Sequence, residues 1–110
     1  MAIVDDDARF RALANPTRRT LLRLVRDDAL PVGALADELD MTQPAVSQHL
    51  AVLREAGLVQ VEPAGRRRLY RADSASIAEL RQFFDGYWSQ SVDRLAGAAE
   101  RRAGEREAAS

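Results

Sequence analysis

The chain has no cysteine and no lysine, and only one histidine, His49. Without cysteine there is no disulfide, no thiolate metal site and no thiol nucleophile, and the redox compartment stays open. A lone histidine, with no phosphate-cradling glycine loop and no acid–base pair held together by spacing, leaves little for catalysis, and an enzyme is not expected. No apolar run approaches the roughly 20 residues that span a bilayer. The first ten residues carry three aspartates where a secretory leader would carry an apolar block. A cytoplasmic protein is therefore expected. An excess of either charge is also missing, since 16 basic and 17 acidic residues leave a net charge of −1. All sixteen basic residues are arginine, which reads as the mark of a G+C-rich genome rather than of a function. What remains is a chain of 110 residues, 46% hydrophobic, enough for one small domain with a packed core.

Charge is unevenly spread within that near-neutral total. Asp5 to Asp7 make the N-terminus acidic, whereas Thr42 to Arg71 holds five arginines (54, 66, 67, 68, 71) against two glutamates (55, 62). The acidic start suits the positive end of a first helix, about 5–14, with Phe10 and Leu13 on its apolar face. Asn15 followed by Pro16 is a helix start, and Leu21, Leu22, Leu24 and Val25 form the second helix's apolar stripe. Leu30 to Val32 reads as a short extended connection. A third helix, Gly33 to Leu39, carries Leu35 and Leu39, and "DMT" makes a tight turn. Thr42 caps a fourth helix whose inner side is Val46, Leu50 and Leu53, ending at Gly57, where a left-handed residue is wanted. Leu58 to Val61 and Arg68 to Ala72 alternate like strands around Pro63-Ala64-Gly65, giving a hairpin over about 58–73. A long last helix, about 74–102, starts at Ser74 or Ser76, with Glu79 a capping-box partner for Ser76. Residues from about 103 onward lack apolar periodicity and read as frayed.

This order is α-α-α-α-β-β-α, with a short extended segment before the third helix. It makes a mainly α (α+β) winged helix-turn-helix fold over residues 1–110, the helix-turn-helix at about 33–56. The fourth helix begins with Gln43, Pro44, Ser47, Gln48 and His49, small polar groups almost without charge. Such a face either meets water or reads base edges, since Gln and Ser match major-groove donors and acceptors. His49 could touch phosphate or base, or could be a partly buried histidine bonded to a carbonyl. Arg66, Arg67 and Arg68 sit in a strand whose neighbours point to opposite sides, so they cannot all meet DNA alike. Arg18, Arg19 and Arg54 read first as helix-end or intrachain partners, Arg18 and Arg19 for a nearby carboxylate, with phosphate contact as the alternative. Four of the six aromatics lie at Phe83, Phe84, Tyr87 and Trp88. With Ile77, Leu80, Val92 and Leu95 they make a stripe wide enough for the chain's own core and a second copy, or for an effector pocket near the seam.

"ALANPTRRTLLRLV", "VGALADELDMTQPAVSQHLAVLREAGLV" and "GRRRLYR" together resemble the ArsR/SmtB family of bacterial winged-helix repressors, over about residues 8–73. The resemblance implies a DNA-binding transcriptional regulator, a homodimer held by the first and last helices (about 5–14 and 74–102). It implies recognition helices in successive major grooves of a pseudo-palindromic operator, and an inducer that releases the DNA. By position it assigns DNA contacts to Gln43, Pro44, Ser47 and Gln48, with His49 beside them, and wing contacts to Arg66, Arg67 and Arg68. The dimer interface would comprise Phe10, Phe83, Phe84, Tyr87, Trp88, Val92 and Leu95. The chain departs from the family's metal sensors. Pro31 to Ala36 offers no ligand where they carry a Cys-x-Cys pair, and the last helix offers Glu79, Asp85, Asp93 and Glu100 but no histidine. Neither a metal nor another cofactor is expected. The alternative reading is an interaction module whose partner protein senses the signal, with weak DNA binding of its own.

Overall fold

The computed structural model describes residues 6–109, and the side chains among them except those of 88–93 and 105–109. The element order is α1 (Asp6–Leu13), α2 (Pro16–Leu24), α3 (Val32–Leu39), α4 (Gln43–Glu55), β1 (Val59–Ala64), β2 (Arg67–Ala72) and α5 (Ser74–Ala109). This is the α-α-α-α-β-β-α winged helix-turn-helix. The chain divides into two compact units, Met1–Ile77 and Ala78–Ser110, with the boundary in the first turn of α5. Among the described residues, no helix is long and apolar enough to cross a membrane.

In the first unit the core is built from one residue per turn or two of each element: Ala12, Leu21, Val25, Leu35, Val46, Leu50, Leu53 and Leu58 are completely enclosed. The second helix buries Leu21 and Val25 fully and Leu22 and Leu24 only in part. In α1 the inward face differs from the expected one. Arg9 and Ala12 are buried, while Phe10 and Leu13 are half-covered. Arg9 is tolerated because its guanidinium bonds to Asp6 Oδ1 at 3.3 Å and to Ser76 Oγ at 3.5 Å.

Local chemistry sets the helix ends. Asn15 Oδ1 accepts from Arg18 N at 3.1 Å, and Thr42 Oγ1 accepts from Ala45 N at 3.3 Å, each followed by a proline within the first two helical positions. The end of α4 closes on Gly57 at φ 75°, with Gly57 N donating to Arg54 O and Leu58 N to Leu53 O, both at 2.9 Å. The same two-bond closure ends α3, but the left-handed residue there is Asp40 (φ 52°, ψ 49°), with Met41 N donating to Ala36 O at 3.0 Å. This sharp reversal is the turn of the helix-turn-helix. Arg18 and Arg19 do pair within the chain, but with carbonyls rather than a carboxylate. Arg18 Nε donates to Ala12 O at 2.6 Å, Arg18 Nη2 to Arg11 O at 3.1 Å, and Arg19 Nη1 to Leu13 O at 2.8 Å. They satisfy acceptors that every α-helix leaves open at its C-terminus, and place positive charge where the dipole favours it.

The hairpin is antiparallel from Val59↔Ala72 to Ala64↔Arg67. Pro63 and Ala64 therefore belong to β1, and the turn is Gly65-Arg66 rather than Pro63-Ala64-Gly65. Gly65 takes φ 64°, and Arg66 keeps a negative φ, the pattern of a type II′ turn. Counting from that turn, Pro63 occupies a non-hydrogen-bonded position, so its missing N–H costs the ladder nothing. The extended segment before α3 pairs with β2: Leu30 and Tyr70 exchange both backbone bonds, at 3.0 and 2.8 Å. Ala72 N to Val25 O at 3.0 Å and Asp73 N to Leu58 O at 2.8 Å tie the hairpin's base to the C-cap of α2 and to Leu58, just past the closure of α4.

The cap of α5 is Asp73, not Ser74 or Ser76. Asp73 Oδ1 accepts from Ser76 N at 3.0 Å and Oδ2 from Gln60 Nε2 at 2.8 Å. Ser76 is an acceptor for Arg9 instead. The helix also runs to Ala109, past the expected end near 102. The bond from the Ser76 N–H, helped by Gln60, the Ala75 N–H and the nearby Arg9 charge, holds the Asp73 carboxyl below its ordinary value of 3.8. A lowered folded-state pKa gives stability that is present above the unfolded value and lost as pH falls through the folded one. Asp73→Ala should lose about 1 kcal/mol in urea unfolding at neutral pH. Asp73→Asn keeps an acceptor and should lose less, and wild type should converge on it below about pH 4; a gap that stays constant with pH would contradict the charged cap.

Candidate nucleic-acid interface

The geometry of α4 separates two faces. Residues advance by about 100° around a helix. With Val46, Leu50 and Leu53 at zero exposure, the opposite arc is fixed outward. Gln43, Pro44, Ser47 and Gln48 are all exposed, as the sequence reading requires of a reading face. His49 is not part of that arc. It lies two residues from Ser47, about 200° around, and is half-buried on the flank of the apolar seam. The amide of Gln43 lies beside Gly33 of α3, where a Cβ would meet Nε2 at 3.5 Å. The two helices of the motif thus meet at their N-terminal ends.

The strand register decides which wing arginine faces α4. Arg68 shares a side of the hairpin with Pro63, Val61, Tyr70, Val59 and Ala72, the side that becomes buried toward its base. Arg67 points the other way with Leu69 and Arg71, and Arg66 stands in the turn. All three are exposed. Arg71 is partly neutralised by Glu62, with Nε to Oε1 at 2.9 Å and both side chains nearly half exposed. Between α4 and the wing runs a groove of about 680 Å³, lined by Ser47, Leu50, Ala51, Arg54, Glu55, Arg68 and Tyr70. The groove therefore brings a residue of the expected reading face, Ser47, together with one of the three expected wing arginines, Arg68. It adds Arg54 and Tyr70, which the sequence reading did not place there. The spacing 43, 47, 51, 54 on the outer arc of α4 was the available signal for Arg54. For Tyr70 it was the parity with Arg68.

The expected dimer residues are also largely uncovered in the single chain. Phe83, Phe84, Tyr87 and Leu95 are 45%, 48%, 63% and 69% exposed, and Phe10 is half-buried. Phe83 stacks on Tyr87 at 6.5 Å and meets Phe84 edge-on at 5.6 Å. The side chains of Trp88 and Val92 lie outside the described residues. Among the described residues, no group of three or more His, Asp or Glu side chains is arranged to hold a metal ion.

Comparison with known proteins agrees with this geometry. A family model described as a helix-turn-helix domain matches residues 13–62. The chain is 43% identical over 86 residues to the HTH-type transcriptional regulator Rv2034 of Mycobacterium tuberculosis, covering 78% of this chain and 80% of that protein. It is 41% identical over 71 residues to the HTH-type transcriptional repressor SmtB of the same species, covering 64% of this chain and 53% of that protein. The solved structure of an ArsR-like transcriptional regulator from Rhodococcus sp. RHA1 superposes with a TM-score of 0.72 at 27% identity, covering 83% of this chain and 86% of that one. With its fold, its helix-turn-helix and the motifs on both sides of it accounted for, the chain belongs to the ArsR/SmtB family of winged helix-turn-helix transcriptional regulators, DNA-binding proteins and not enzymes.

Proposed function

We propose that the protein works as a cytoplasmic homodimer that represses transcription by binding a pseudo-palindromic operator. One observation carries this reading: Gln43, Pro44, Ser47 and Gln48 form an exposed, nearly uncharged arc that is held outward by a fully enclosed Val46-Leu50-Leu53 seam. In that arc Gln43 and Gln48 would pair with adenine edges, Ser47 with several bases, and Pro44 would shape the entry of the helix. The Thr42-capped N-terminus of α4 would lie toward phosphate, as positive helix ends do. Arg68 and Arg54 would hold the backbone from the two sides of the groove, while Arg66 and Arg67 at the tip reach beyond it. His49, on the flank of the seam, would support the helix rather than read bases.

The exposed aromatic stretch of α5 supports the dimer. Large apolar side chains left this open on one helix mark a surface that another surface covers. Phe10 of α1, Phe83, Phe84, Tyr87, Trp88, Val92 and Leu95 of α5 would form the contact with a second copy. Two copies would set two α4 helices about one turn of DNA apart, roughly 34 Å. The SmtB relative is named a repressor and HlyU of Vibrio cholerae, 32% identical over 82 residues, an activator, so the choice of repression rests on the first name alone.

Two measurements test this reading. In fluorescence anisotropy with the DNA upstream of its own gene, native duplex should bind roughly a thousandfold tighter than a scrambled one. Gln43→Ala/Gln48→Ala should erase that margin while leaving scrambled binding unchanged. Arg68→Ala should weaken both duplexes alike and reduce the salt slope by about one unit. Equal binding of both duplexes, abolished together by salt, would contradict base reading at this site. In sedimentation, wild type should run at twice the chain mass of 12.1 kDa, and Tyr87→Glu at that mass itself. A monomeric wild type would overturn the dimer.

A further inference from the structure

A second concave site lies away from the α4–wing groove. The last residue of α1, the outer side of α2 and the first turn of α5 leave a notch of about 270 Å³, lined by Leu13, Leu22, Ile77, Arg19, Arg23 and Arg26. It shares no residue with the groove that faces α4. Its floor is three aliphatic side chains, each only half-buried, so apolar surface there is still wet. Its edge is three guanidinium groups at i, i+4 and i+7, a spacing that lines them along one side of α2 and its extension.

The three arginines are not equally engaged. Arg19 Nη1 is held by Leu13 O at 2.8 Å. Arg26 pairs with its neighbour Asp27 at 3.1 Å, but the two side chains are 71% and 75% exposed, and pairs so wet contribute little. Among the described residues, the guanidinium of Arg23 makes no hydrogen bond or ion pair. Arginine stems often simply lie over apolar surface. Three of them around one aliphatic floor also form a complement to a molecule with an apolar body and an anionic head. A phosphate backbone would have no use for the floor, and a hydrocarbon would have none for the edge. A carboxylate matches the guanidinium fork and can be held by two nitrogens at once.

We infer that this notch binds a small amphipathic carboxylate, its chain on Leu13, Leu22 and Ile77 and its head group on Arg23 and Arg26. The volume is just under the lower end of usual ligand pockets, so a short unbranched chain fits better than a bulky one. The occupant would touch α1, α2 and the start of α5 together. Its binding does not depend on the DNA-reading face.

The test uses the full chain with 13C-labelled Leu and Ile methyl groups, titrated with octanoate and, separately, with 1-octanol. Octanoate should saturably shift the Leu13, Leu22 and Ile77 methyl resonances. Octanol, with the same body and no charge, should bind at least about tenfold more weakly. Arg23→Gln/Arg26→Gln should lose about tenfold in octanoate affinity, with unchanged Tm and unchanged anisotropy on DNA, because both side chains are exposed and outside the α4–wing groove. Equal binding of octanol and octanoate would overturn the inference, leaving only a greasy patch under arginine stems. So would shifts that never saturate, or intermolecular contacts to these methyls in a mixed-label sample, which would mean that a second copy fills the notch.

Discussion

Val46, Leu50 and Leu53 constrain everything else that α4 can do. Each is completely enclosed, and together they fix the rotation of the helix about its own axis. With that rotation fixed, a polar residue's place in the sequence determines whether it points at solvent or at the core. Truncating Leu50 or Leu53 to alanine would cost about 2–5 kcal/mol, a large share of what a domain of this size has. The proposed recognition surface is thus a by-product of core packing. Ser47 and Gln48 face outward because three aliphatic residues cannot, His49 falls on the flank for the same reason, and Gln43 is exposed as the first residue of the helix.

The wing depends on the same core through backbone bonds rather than side chains. Leu58 is enclosed beside the end of α4, and its carbonyl accepts from Asp73 N, where β2 gives way to α5. Tyr70 is paired to Leu30, and Ala72 to Val25. Among the described residues, such backbone ties hold the hairpin at its base and none reaches its arginine-bearing tip. That division suits a device that must hold a fixed register near α4 and still present a charged tip. Asp73 stands at the junction, capping α5 with one oxygen and receiving Gln60 of β1 on the other.

Much of this was legible in the sequence because local signals and hydrophobic period agreed. Asn15-Pro16, Thr42 and Gly57 mark helix ends by chemistry that acts over three or four residues, and each acts there as expected. The seam of α4 followed from period, and the existence of the hairpin from period and turn residues together. The misses arose where two residues offered the same chemistry or where tertiary context chose. In Asp73-Ser74-Ala75-Ser76 three side chains can cap a helix, and the end of β2 decides for Asp73. Pro63 suggested a turn, but at a non-hydrogen-bonded position it is a permissible strand residue, and Gly65 took the turn. The tail of α5 was read as frayed for want of an apolar stripe. Ala, Glu and Arg hold a helix there by propensity, without needing one. Within the proposed site, the exposure of Gln43, Ser47 and Gln48 was legible in the sequence. Arg54 and Tyr70 were not, because a groove between a helix and a strand is defined only once both are in place.

The central claim is that the outward arc of α4 enters a major groove and reads base edges. Replacing operator adenines one at a time with 7-deazaadenine or 3-deazaadenine tests it most directly, because N7 lies in the major groove and N3 in the minor. The account predicts that loss of N7 weakens binding in two patches about one helical turn apart, and that the Gln43→Ala/Gln48→Ala variant binds the 7-deazaadenine and unmodified duplexes alike. Weakening confined to the 3-deazaadenine duplexes, with every 7-deazaadenine tolerated, would show that these residues do not read the major groove, and would contradict the account.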